Sequence, residues 1–131
     1  MSESQEKLEP LVVNLIKEAV LNDHYRKVIY TTARTQKVLM SLLPKQEIGY
    51  ETHDGDQSIT VVKGKGILLF IDPNNPEYQL EYDLHEGIDV EIPEGTYHNI
   101  INKSDTLPLK LYTTYSPPQH IPYLDEILKP K

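Results

Sequence analysis

Glu51, His53 and Gln57 form one short polar run, and His98 stands farther along the chain. Side chains alternate across a strand, so Glu51 and His53 share a face. Asp54-Gly55 follows as a tight-turn signal. On the return strand Gln57, Ile59 and Val61 share a face. With Ile48–Val62 read as a hairpin whose inner face carries both sets, Glu51, His53 and Gln57 converge beside aliphatic residues. Polar groups in such an interior must be paired with one another or must bind something.

The elements that position these residues are mostly strands. Branched and aromatic runs occur at Val28–Thr32, Val38–Leu43, Ile48–His53, Gln57–Val62, Ile67–Ile71, Tyr78–Leu84, Ile88–Ile92, His98–Asn102 and Leu109–Tyr115. Turn signals separate them about every 8–12 residues, the rhythm of a sandwich or barrel. The ten prolines and six glycines fall mainly between the runs. Residues 1–10 read as a disordered leader, 11–120 as the β domain, and 121–131 as a tail that can hold one short helix before Pro130. Residues 11–21 fit a helix by the spacing of their apolar positions. Their β-branched content equally allows a strand.

The chain has 131 residues, enough for one domain with a real core. It has no cysteine, which excludes disulfides, thiolate metal sites and cysteine nucleophiles. Its formal net charge of -7 disfavours nucleic acid and anionic membrane surfaces as partners. No apolar run approaches the length of a membrane span, and Met1–Pro10 lacks a signal-peptide pattern. A cytoplasmic location is the expectation.

From Gly87 the chain reads Gly-Ile-Asp-Val-Glu-Ile-Pro-Glu-Gly-Thr-Tyr-His-Asn-Ile-Ile-Asn. Pro93 and Gly95 make a sharp turn. His98 then starts the next strand pointing inward, and Asn102 faces the same way. The run matches G-x5-P-x-G-x2-H-x3-N without a mismatch, and it resembles the second motif of the cupin superfamily. The first cupin motif, G-x5-H-x-H-x3-4-E-x6-G, is present but altered. His53 stands at its second histidine, Gln57 at its glutamate, Gly64 at its closing glycine and Glu51 at its first histidine. The resemblance is nearer still to a group of small cupins that share the run around Glu51-Thr52-His53 with Asp56-Gln57 and the ending Tyr112–Pro118. It covers roughly residues 26–120.

That resemblance implies an all-β fold, a cupin-type antiparallel β-barrel of jelly-roll kind with short helical segments at its termini. It also implies one divalent metal ion, with His53, His98, Glu51 and Gln57 as the carried-over ligands. Two histidines and a carboxylate suit Fe, Mn, Ni, Zn or Co and leave positions open. Gln57 is a weak neutral ligand that can instead hydrogen-bond to Glu51 or to a bound molecule. A small-molecule substrate or ligand is then the expected partner. A metal with open positions can polarise a small oxygenated metabolite for isomerisation or epimerisation, with Glu51 as catalytic base. If the metal is iron, it can support an O2-dependent reaction. The replaced ligands also allow a binding module without turnover. Cupins of this size are similar in pairing through sheet edges, so a homodimer is expected, with residues 11–32 able to supply an exchanged edge.

If the face of Leu109, Leu111, Thr113 and Tyr115 points inward, Thr113 and Tyr115 line the pocket along with Asn102, and Tyr112 faces out. His24 and His85 read as turn residues, and His120 as a closure of one barrel end. Gly64-x-Gly66 is too little for a nucleotide loop. No G-x-S-x-G occurs to support a serine hydrolase.

Overall fold

The computed structural model describes residues 9–131, so residues 1–8, and with them most of the expected leader, lie outside it. Among the described residues one helix, α1 (Leu15–Leu21), precedes nine strands: β1 (Arg26–Thr31), β2 (Gln36–Leu42), β3 (Asp56–Lys63), β4 (Gly66–Asp72), β5 (Asn75–Leu84), β6 (Asp89–Ile92), β7 (Tyr97–Asn102), β8 (Leu109–Ser116) and β9 (Asp125–Glu126). They form a six-stranded sheet in the order β6-β3-β8-β2-β1-β9 and a three-stranded sheet in the order β5-β4-β7. All pairings are antiparallel.

The core fills the space between the two sheets. Val38, Met40, Leu42, Ile59, Val61, Leu109 and Leu111 come from the large sheet, and Leu68 and Ile100 from the small one. Along β8, Leu109, Leu111, Thr113 and Tyr115 are buried, and Lys110, Tyr112 and Thr114 are partly exposed. This is the period of a strand with one buried face. β2 departs from it, being buried on both faces from Val38 to Leu42. The reason is α1, which lays Ala19 against Leu39 and Val62, with Tyr112 at the margin. Tyr112 thus faces away from the core, as its parity requires. The choice left open for residues 11–21 falls to a helix from Leu15, because Asn14 caps it. Its side-chain oxygen accepts from the Lys17 amide at 3.1 Å.

Two expectations change. The tail forms no helix. Asp125–Glu126 instead adds β9 to the outer side of β1, where Glu126 accepts from Arg26 at 2.8 Å and Asp125 lies 2.6 Å from His24. A strand with an unpaired edge and fixed opposite charges outweighs the weak helical pattern of so short a segment. Since β1 is paired with β2 on one side and β9 on the other, the edge expected from residues 11–32 is occupied within the chain.

The second change concerns the presumed hairpin. Residues 47–51 do not pair with β3. They run along β7 in the small sheet, bridging Glu47 to Ile101 and Glu51 to His98. Gly49 breaks this strip, with a φ of 101° that disfavours any side chain. Its amide donates to the Asn99 side chain at 2.8 Å rather than to a backbone carbonyl. Gly55 is needed for a close approach: a Cβ there would lie 2.5 Å from Pro117 Cδ and 2.6 Å from the Ser116 carbonyl.

Candidate metal and ligand site

Glu51 and His98 are the residues most firmly set opposite each other. The Glu51 amide donates to the His98 carbonyl at 2.8 Å, and the His98 amide donates back at 3.0 Å. Directly opposed residues project to the same face of a sheet. His98 is buried and Glu51 half-buried. The convergence inferred from a hairpin is therefore achieved by a different strand pairing.

His53 follows one alternation later. Its ring centroid lies 5.6 Å from that of His98 and 5.2 Å from that of Tyr115, edge-on to the latter. His53 Nε2 lies 3.2 Å from a Glu51 carboxylate oxygen. Apart from that carboxylate, the buried nitrogen has no partner. His98 Nδ1 faces the Thr96 carbonyl at 3.3 Å. A proton on that nitrogen leaves Nε2 as the free lone pair, the arrangement usual for a ligating histidine.

Gln57, buried at the start of β3, is opposed by Tyr115 on β8. Its amide nitrogen donates to Thr113 Oγ1 at 2.9 Å, and its buried carbonyl oxygen has no partner. Thr113 and Tyr115 are both fully buried on the inner face of β8. The structure thus gathers Glu51, His53, Gln57, His98, Thr113 and Tyr115 at one end of the barrel.

Asn102 lies apart from this group. It shares the inner face of β7 with His98 but sits four residues on, about 13 Å along a strand. Its amide donates to the carbonyls of Leu42, Leu43 and Leu107 at 3.1, 3.1 and 2.9 Å, and its oxygen accepts from the Ser104 amide at 3.0 Å. Every polar atom of the side chain is engaged, which makes Asn102 a brace for the opposite end and not a pocket residue.

Electrostatics separate the roles further. Burial pushes the Glu51 carboxyl upward, but contact with His53 and the charges of His53, Arg26 and His98 outweigh it, holding the group below the ordinary carboxylate range. Burial pulls the His98 imidazole down, against weaker opposing effects of the Thr96 carbonyl and Glu51. A carboxylate held ionised beside two imidazoles is the donor chemistry of a divalent metal site. By geometry, however, no three His, Asp or Glu side chains among the described residues converge closely enough to hold an ion.

Arg26 and Gln36 escaped the sequence reading, whereas His120 closes this end of the barrel as expected. Arg26 is nearly buried, stacks over Tyr25 at 5.1 Å and lends its charge to Glu51. His120 packs edge-on against Tyr115 at 5.2 Å on its own account, and its buried Nε2 also lacks a partner. Gln36 places it: the Gln36 amide donates to the His120 carbonyl at 2.7 Å, and Gln36 Oε1 accepts from the His120 amide at 3.0 Å. The available signal was parity. Gln36 stands two residues before Val38, on the inward face of β2.

A cavity of about 560 Å³ adjoins this end, between β4, β5 and β6. His98 stands on its wall, with apolar side chains including Phe70, Leu80 and Val90.

Known proteins agree with this architecture. The crystal structure of BH2720 from Bacillus halodurans superimposes with a TM-score of 0.82 at 33% identity, covering 94% of this chain and 92% of that one. An uncharacterized protein of Acanthamoeba polyphaga mimivirus is 44% identical over 121 residues, 92% of this chain and 73% of the viral protein. The uncharacterized protein YrkC of Bacillus subtilis is 34% identical over 86% of this chain, which spans only 60% of YrkC. The Cupin domain family matches residues 38–115, from β2 to the end of the inward face of β8. With that match and the two-sheet barrel in hand, the chain belongs to the cupin family.

Proposed function

We propose that this cupin binds a small oxygenated metabolite at a divalent metal held by His53 and His98, with Glu51 as the anionic ligand. The observation that carries the reading is the pair of neighbouring imidazoles, one with a buried nitrogen that meets only the Glu51 carboxylate and the other oriented by a backbone carbonyl. An unpartnered buried polar atom costs about 1–3 kcal/mol. Such a nitrogen, kept beside His98 on the cavity wall, is accounted for by a ligand that satisfies it. The donor types fit the metal. Two imidazole nitrogens and one carboxylate would be its ligands and would leave room for a bound molecule. When bound, such a metal polarises an oxygen of the ligand and stabilises the charge that develops there.

The chain's own residues then have distinct tasks. Glu51, with its depressed pKa, is a poor proton acceptor at neutral pH and a good anionic ligand. Gln57, fixed by Thr113, offers its free carbonyl oxygen to a donor on the bound molecule. Tyr115, its hydroxyl pKa raised by burial, stays protonated and closes the inner wall.

A second reading, a metabolite-binding barrel without metal or turnover, draws support from one observation. Glu51 and His53 lie within ion-pair distance of each other, and among the described residues no three His, Asp or Glu side chains form a cage.

The test is metal content by mass spectrometry on untagged protein, compared with a His53→Ala/His98→Ala double variant. Near-stoichiometric metal in the parent, lost in the variant, supports the first reading. Negligible metal in both, persisting after reconstitution with Fe(II), Mn(II), Ni(II) and Zn(II), leaves the second.

A further inference from the structure

Among the described residues, every sheet edge of this fold but one is short or paired within the chain. The large sheet ends in β6, with four residues, and in β9, with two. In the small sheet, β7 is flanked by the strip at 47–51. The exception is β5, which has ten residues, is exposed at eight of them and pairs with β4 alone. Pro76 has no amide hydrogen to offer, so the usable edge runs over residues 77–84. Along it, alternate backbone groups point away from β4 and find no backbone partner among the described residues.

The register sorts the side chains of this edge into two columns. Gln79, Glu81 and Asp83 stand opposite Ile71, Leu69 and Ile67 on the outer face, and Glu77 shares their parity. Leu80 and Tyr82, opposite Phe70 and Leu68, face the other sheet. Tyr78 shares that second parity and packs edge-on to Phe70, with ring centroids 6.4 Å apart. Tyr78 and Tyr82 are nonetheless half-exposed. The outer column carries three carboxylates and no base. Lys103 donates to Asp83 at 2.9 Å, whereas Glu77 and Glu81 have no cationic partner among the described residues.

We propose that β5 takes an extended segment of another protein as an added strand, with Lys or Arg at alternate positions and apolar residues between them. Main-chain hydrogen bonds to the open edge hold such a segment, and its alternating side chains set its register. Its bases meet Glu77 and Glu81 on the outer face, and its apolar residues cover Tyr78 and Tyr82 on the other. Charge decides against the other occupants. A second copy pairing through its own β5 would set one acidic column against another. Residues 1–8 hold two glutamates and one lysine, so they do not supply alternating bases. Acids on an edge guard it against strands of like charge, and the same acids favour a basic one. Neither the histidine pair nor a metal takes part.

The test is fluorescence anisotropy of the full chain with a labelled peptide of four Lys-Val repeats. A peptide of the same composition with its lysines grouped in one block is the control. The alternating peptide is expected to bind at least about tenfold more tightly than the block peptide. Glu77→Lys/Glu81→Lys should weaken it at least about tenfold and transfer binding to a peptide of Glu-Val repeats. Amide hydrogen exchange at residues 77–84 should slow in the complex, while exchange in β9 stays unchanged. Equal affinity for the alternating and block peptides would reduce the contact to attraction between net charges and overturn the inference. So would exchange at residues 77–84 that the alternating peptide leaves unchanged. Both of these comparisons use the parent protein and do not depend on the variant folding. Protection of the same amides in the free protein, with a dimer seen by sedimentation equilibrium, would also overturn it, because a second copy would then own the edge.

Discussion

Strand β7 carries two inward-facing polar residues, and the two ends of the barrel treat them oppositely. At one end Asn102 has each of its amide groups engaged with backbone. At the other, His98 sits among buried polar atoms of His53, Gln57 and His120 that have no partner. A fold that satisfies polar groups so completely at one end has the means to do so at the other. The contrast therefore marks the His98 end as kept for a ligand, and the Asn102 end as a joint. The same strand, and the same motif, thus supply one structural and one functional residue.

The contrast breaks most visibly at the joint. Asn102→Ala strips three carbonyls of a donor and should cost about 3 kcal/mol, read from the urea midpoint. His53→Ala removes a ring whose Nε2 meets only the Glu51 carboxylate and should cost less than about 1 kcal/mol in the same assay while abolishing ligand binding. If the two variants cost the same, the distinction between joint and site fails.

A smaller effect sharpens the functional end. Gln57→Glu restores the carboxylate of the family motif at a position beside the cluster. Mn(II) or Ni(II) affinity should rise about tenfold. Without metal, the same variant should lose about 1–2 kcal/mol, because a buried carboxylate then faces Glu51. Unchanged affinity by calorimetry would show that Gln57 does not face the metal position.

The smallest effect is a pH dependence. Burial lowers the pKa of both His98 and His120 in the folded chain. The unfolded chain then binds more protons than the folded one just below about pH 6.5, so stability rises with pH there. It is fully present above the unfolded value and falls as the pH drops through about 6.5 toward the folded values. Glu51, with its lowered carboxyl pKa, contributes only below about 4.5 and leaves that window clear. Chelator-treated protein should therefore lose urea resistance between pH 7 and pH 5, and a His98→Gln/His120→Gln variant should lose less. An identical slope in both would assign the dependence elsewhere.

Much of this was legible beforehand, and for identifiable reasons. Pro93, Gly95, His98 and Asn102 describe a turn and a strand parity, both local properties, and β7 lies where they put it. The inward face of β8 also followed from period two alone. The partner of residues 48–53 did not. Asp54-Gly55 reads as a hairpin turn, but the glycine serves a close approach to Pro117, a contact 62 positions away that no local pattern encodes. Glu51 and His53 still reached the site, since parity survives a change of partner. Arg26 was invisible because its place depends on β9, and Gln36, which seats the expected closure at His120, because its partner lies 84 positions away; both are long-range contacts.

The pairing of β9 with β1 joins residue 26 to residue 126. During synthesis, this last seam cannot close until the final strand has left the ribosome. Arg26 must wait for Glu126, and His120 takes its seat in the same closing segment. Contacts so distant in sequence slow folding. The wall of the candidate site is thus among the last parts of the domain to form, and an unfinished chain would hold the histidine pair before the end of the barrel had closed over it.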